Sequence, residues 1–190
     1  MSAAERREAL LDLALDLLVR EGEPAITIGS IAERAGVTRT LVYKHFENRD
    51  DLIINLHRRE AKRLDEHLVA LVLGTPGGFE PKMRAMVTGL LEAVDKWGTV
   101  FNPLAHTAAG SIGRREARSR NRRTTEYFAG LAARDYGLSI DRAEPAVAVL
   151  LGGIDPLMWR SRPEPGDRAA LVDLFMTMAL NALTGLAAAG

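Results

Sequence analysis

Side chains able to make or break covalent bonds are few in this sequence, and they are scattered. There is no cysteine, which removes thiolate nucleophiles, disulfides and Cys-based metal sites together. The four histidines, His45, His57, His67 and His106, do not fall at the spacing of a His-Glu-x-x-His zinc site. No Gly-x-Ser-x-Gly turn occurs, and the glycine-rich stretch 74–78 lacks the Gly-Lys-Ser/Thr that completes a phosphate loop. Catalysis is therefore a poor reading, and no cofactor or metal is expected. In contrast, Thr38, Arg39, Thr40, Tyr43, Lys44 and His45 crowd into one stretch, with Thr27 before it and Arg49 after it. An arginine fork, single donors on Lys and Tyr, and small hydroxyls suit anionic oxygens and the hydrogen-bonding edges of bases. Arg39 can pair bidentately with guanine, and Thr40 or Leu41 can meet a thymine methyl. Tyr43, Lys44 and His45 are placed to reach phosphates, as are Thr27 and Arg49 at helix starts.

The elements that must hold these groups are helical. Leu10, Leu13, Ala14, Leu17 and Leu18 recur at helical spacing, with Glu5, Arg6, Asp12, Asp16 and Arg20 facing away. Gly22 and Pro24 stop that helix. Thr27 is a good N-cap for a second helix, with Ile26 and Ile31 at the staple positions, and Gly36 ends it. Thr38 caps a third helix of about nine residues, and Val37 with Val42 repeats the staple. Asn48 caps a fourth that runs from Arg49 to about Val72, carrying Leu52, Ile53, Leu56, Leu64 and Leu68 inward. Caps at Thr27 and Thr38, 11 residues apart with a glycine between them, leave room for two short helices and one tight turn. Ala32, Ala35 and Gly36 are small where those helices cross. Apolar helical segments are expected at roughly 80–96, 102–111, 114–136, 141–160 and 166–188, punctuated by Gly98 with Pro103, Gly137, and Pro163 with Pro165. The expectation is an all-α protein of about nine helices: a head over 1–48, a connecting helix over 49–73, and a helical domain over 74–190.

The stretch Thr27–Leu52, TIGSIAERAGVTRTLVYKHFENRDDL, resembles the TetR/AcrR family signature. A Thr cap is followed by Ile-Ala-x-x-Ala-Gly-Val, a capped short helix, a His-Phe ending and a basic residue opening the next helix. Leu41 stands where that family more often has a small or hydroxylated residue, and Arg49 where Lys is common. The resemblance implies a cytoplasmic homodimer that binds double-stranded DNA at a palindromic operator through the third helix. It also implies a second domain that dimerises and senses a small-molecule effector, with repression as the default. A helical dimeric interaction or architectural module is the alternative.

Residues Met86, Leu90, Trp97, Phe101, His106, Tyr127, Phe128, Asp155 and Trp159 are the candidates for a largely apolar effector pocket. Pro156 removes a backbone donor and is expected to kink the helix beside Asp155. Leu151 and Gly152, with Leu171, Leu174, Phe175, Met178 and Ala182, form apolar stripes rich enough to cover each other across a two-fold axis.

Charge adds one clue. Lysines and arginines equal acids at 25 each, so the chain lacks the basic balance usual in nucleic-acid binders. The distribution is uneven: residues 1–33 hold three arginines against seven acids, and residues 34–63 hold eight bases against four acids. That excess is expected to serve phosphate binding. The run 113–123 carries six arginines and one glutamate and reads as a solvated face. Because Asp12, Asp16 and Arg20 interrupt the first Leu-rich stretch, neither a signal peptide nor a membrane span is expected.

Overall fold

The computed structural model describes the backbone of residues 2–101, 108–161 and 167–189, and the side chains of residues 2–93, 121–154 and 167–189. Among these, all regular structure is helical: α1 (Ala3–Glu21), a 3-10 turn (Glu23–Ala25), α2 (Ile28–Ala35), α3 (Arg39–Tyr43), α4 (Arg49–Gly74), α5 (Phe79–Phe101), α6 (Ala108–Tyr136), α7 (Ile140–Ser161) and α8 (Arg168–Ala188). The described residues thus form eight α-helices rather than nine. Gly98 does not stop α5, and α6 runs without a break through the expected gap at 112–113. A single glycine costs a helix about 1 kcal/mol, less than a long helix with a buried face can absorb. The chain falls into two compact units, Met1–Leu64 with Asp95–Glu116, and Asp65–Val94 with Ala117–Gly190.

In the first unit a small core joins α1 to α4. Leu10, Leu11, Ala14 and Leu17 of α1 meet Ile28 and Ile31 of α2, Val42 and Phe46, and Leu52, Ile53 and Leu56 of α4. The helix starts are made by side chains. Thr27 Oγ1 accepts from the Ser30 amide at 3.0 Å, and Ser30 Oγ accepts from the Thr27 amide at 3.0 Å, a closed capping box. Gly36 takes the left-handed conformation (φ 65°) that ends α2. At the start of α4, Asn48 Oδ1 accepts from the Asp51 amide at 2.9 Å.

The second unit packs Phe79, Met83, Val87 and Leu91 of α5 against Phe128 and Ala132 of α6, Val147 of α7 and Phe175, Met176 and Ala179 of α8. Phe79 meets Phe128 and Tyr136 edge-on, with ring centroids 5.9 Å apart in each pair. Lys82 Nζ donates to the carbonyls of Val72 at 2.8 Å and Thr75 at 2.6 Å, capping the end of α4. By length and composition alone α8 is long and apolar enough to cross a membrane. Its row Val172, Phe175, Met176, Ala179 and Leu183 is buried against this unit's own core.

Asp135 closes the start of α5 from the end of α6. Its Oδ2 accepts from the Phe79 amide at 2.6 Å, and its Oδ1 accepts from Arg134 Nε at 2.7 Å. The Arg134 guanidinium and then the Phe79 amide hold this carboxyl below the usual carboxylate range. An ideal Cβ at Gly78 would lie 1.9 Å from Asp135 Oδ2, so only glycine admits the carboxylate there. Asp135→Ala is expected to lower the unfolding free energy by about 1 kcal/mol at neutral pH. A depressed pKa stabilises above the unfolded carboxylate value and ceases to as pH falls through the folded one. Urea unfolding from pH 7 downward should therefore show the gap between variant and parent closing below about pH 4; a constant gap would contradict this role.

Candidate nucleic-acid interface

The head presents α3 outward. Val42 and Phe46 are buried in the core, whereas Thr38, Arg39, Thr40 and Lys44 are exposed and Tyr43 is 55% exposed. Thr27 is exposed at the start of α2, and His45 is half-buried. One helical turn therefore gathers Thr38, Arg39, Thr40, Tyr43 and Lys44 on the outside. Thr38 caps it, Oγ1 accepting from the Leu41 amide at 3.3 Å. The helix has five residues rather than nine; beyond Tyr43 the chain continues as turns, with the Phe46 amide donating to the Val42 carbonyl at 3.1 Å. Phe46 has to turn inward, where Arg7 sits over its ring at 5.1 Å, and that turn ends the helix early.

Arg49, its side chain 38% exposed, is anchored within the head. Its Nε donates to the Ile26 carbonyl at 2.7 Å and its Nη2 to the Glu23 carbonyl at 2.9 Å, with Glu23 Oε1 at 3.3 Å. It ties the 3-10 turn to the start of α4. Other bases in the 34–63 excess are likewise committed within the head. Arg34 pairs with Asp16 and Glu21. Arg59 donates to Asp12 at 2.8 Å and to Glu60 at 2.8 Å, and Arg63 to Glu60 at 3.1 Å. Glu60 is only 1% exposed, so those two arginines answer a buried carboxylate. Four of the eight bases in 34–63, Arg34, Arg49, Arg59 and Arg63, are thus tied within the head. Among the described residues no carboxylate forms a salt bridge with Arg39 or Lys44.

In the second unit a cavity of about 190 Å³ is lined by α4 residues Asp65, Leu68, Val69, Val72 and Leu73, by Met86 of α5, and by Arg123, Thr124, Tyr127 and Phe128 of α6. It brings together Met86, Tyr127 and Phe128 of the expected pocket, while Leu90 packs half-buried against the core. The side chains of Trp97, Phe101, His106, Asp155 and Trp159 lie outside the described residues. The α4 wall was not anticipated, although exposed Val69 and Leu73 on the polar side of an amphipathic helix were a readable signal. On α8, Leu174, Met178 and Ala182 are exposed at four-residue spacing, Leu171 is half-buried, and Phe175 belongs to the unit's own core. On α7, Gly152 is exposed and Leu151 half-buried.

Two short capped helices crossing at a glycine turn, the second anchored by its inner face and bare on its outer one, define a helix-turn-helix head. Residues 10–56 match the family model described as bacterial regulatory proteins, tetR family. The chain is 36% identical over 92 residues to the uncharacterized HTH-type transcriptional regulator TtgW of Pseudomonas putida, covering 48% of this chain and 65% of that protein. It is 31% identical over 91 residues to the HTH-type transcriptional regulator AcrR of Shigella flexneri, covering 48% of this chain and 42% of that protein. The matched part of the chain thus spans less than two thirds of these curated relatives' length. A TetR/AcrR-family regulator from Thermobifida fusca shares the fold, with a TM-score of 0.72 at 22% identity over 93% of this chain and 97% of that one. Residues 10–56 thus carry the helix-turn-helix of the tetR family of bacterial regulatory proteins, and about half of the chain is similar to HTH-type transcriptional regulators.

The contrast between two arginines is testable by urea unfolding followed by helical circular dichroism. Arg39→Ala should leave stability within about 0.5 kcal/mol, as at an open surface site. Arg49→Ala should cost roughly 1–3 kcal/mol, since two carbonyls lose their donor. Equal losses at the two positions would refute the division of roles.

Proposed function

We propose that this protein is a dimeric, sequence-specific DNA-binding regulator of transcription in the cytoplasm, acting as a repressor that a small, largely apolar effector releases from a palindromic operator. The carrying observation is the outer face of α3, where Thr38, Arg39, Thr40, Tyr43 and Lys44 stand exposed on a turn locked by Val42 and Phe46. A helix of this width enters the major groove, and Arg39 with Thr40 supplies base-reading groups while Tyr43 and Lys44 meet phosphates. One such turn reads too few base pairs to single out a site, which motivates two copies. Exposed Leu174, Met178 and Ala182 on α8, beside Gly152 on α7, supply an apolar face for a second copy. The cavity bounded by Leu68, Val69, Met86, Tyr127 and Phe128 suits an effector with an apolar body. Its α4 wall belongs to the helix that begins at Arg49 behind α3, so a ligand that favours one α4 arrangement shifts a two-state equilibrium. By linkage, DNA then weakens that ligand's binding equally.

Selection from a randomised duplex library at about 150 mM salt is expected to enrich one palindrome, preferred over random DNA by ~10³-fold or more. Arg39→Ala should relax the preference at one position of each half-site, and Tyr43→Ala should lower affinity for all duplexes. A folded dimer that binds all duplexes alike would instead be an architectural module. Leu174→Glu with Met178→Glu should convert dimer to monomer in sedimentation equilibrium and weaken operator binding; an unchanged dimer would place the interface elsewhere.

A further inference from the structure

We propose that Gly29 of α2 is a positioning residue for Arg39, setting the direction of the guanidinium fork and so the base it reads. This rests on the reading of α3 as the recognition helix. Arg39 opens α3, where a cation opposes the helix dipole. Among the described residues it has no carboxylate partner, while nearby Arg34 has Asp16 and Glu21. An exposed arginine so placed would ordinarily sample many rotamers. Here the guanidinium lies against the backbone of α2: an ideal Cβ at Gly29 would sit 3.1 Å from Arg39 Nη2 and 3.4 Å from its Cζ and Nε. Any side chain at position 29 therefore requires the guanidinium to give way by a few tenths of an ångström.

Glycine within an eight-residue helix lowers its stability relative to alanine. Two locally unfavourable choices, Gly29 in α2 and Arg39 in the first turn of α3, thus meet in one contact. Local rules broken together at one place mark a functional requirement. The gain is preorganisation: a fork already held in one direction loses less freedom when it meets the paired acceptors of a guanine. Gly29 would then govern specificity without touching a base.

The test uses the full chain as parent, Gly29→Ala, Arg39→Ala and the double variant. Each is taken through thermal unfolding, duplex selection, and titration of the parent's operator and of random duplex. Gly29→Ala is expected to unfold at the parent's temperature or higher and to bind random duplex within about twofold of the parent. It should lose about tenfold in affinity for the parent's operator, with relaxed preference at the same position of each half-site that Arg39→Ala relaxes. In the Arg39→Ala background, Gly29→Ala should have no further effect on DNA. Gly29→Ser, equally short, should behave like Gly29→Ala. The proposal is overturned if Gly29→Ala selects the parent's operator with the parent's affinity, or if its effect persists without Arg39. A parent that enriches no sequence would instead bring down the recognition reading, and this proposal with it.

Discussion

A helix of five residues has no stability of its own, and the rest of the head follows from that. One turn fixes several backbone dihedrals for a single hydrogen bond, so α3 persists only where other parts hold it. Thr38 supplies the cap at one end, and Val42 and Phe46 at i and i+4 insert into the core formed by α1, α2 and α4. Both anchors lie on one edge of the turn, which leaves the opposite edge for Arg39, Thr40 and Tyr43. Anchoring from one side is what leaves the other side exposed.

The same economy governs charge. A neutral chain is an unpromising DNA binder by composition, and the local excess of bases in 34–63 pointed to phosphates. The structure redistributes that excess. Arg34, Arg59 and Arg63 face acids of α1 or the buried Glu60, and Arg49 closes the 3-10 turn with carbonyl oxygens. Acidic α1 and basic α4 thus neutralise each other inside the head. Arg39 and Lys44, by contrast, stand exposed at and just beyond α3 and form no salt bridge with a carboxylate among the described residues, a small and local positive surface.

Capping chemistry made much of this fold legible in advance. Thr27, Gly36, Thr38 and Asn48 each act within a few residues of themselves, and the structure has all four at the helix ends the sequence indicates. What escaped depended on distant partners. The early end of α3 is set by Phe46 turning into a core that Leu10 and Leu56 complete. Arg49 reads as a basic residue at a helix start until the Glu23 and Ile26 carbonyls are brought beside it. Gly98 and the gap between the expected segments 102–111 and 114–136 look like breaks, yet long helices run through both. The α4 wall of the cavity escaped because Val69 and Leu73 lie off the helix's inward stripe. Gly29 carries no signal in the sequence, since its contact is visible only with Arg39 folded over it.

Chemical protection of the selected operator tests the central claim most directly. With the dimer bound, dimethyl sulfate should spare guanine N7 atoms in the major groove at two half-sites about one helical turn apart. Arg39→Ala should restore methylation at the guanine it contacts in each half-site. Protection confined to the minor groove, spread evenly along the duplex, or unchanged in Arg39→Ala would contradict an account in which two α3 faces read the sequence.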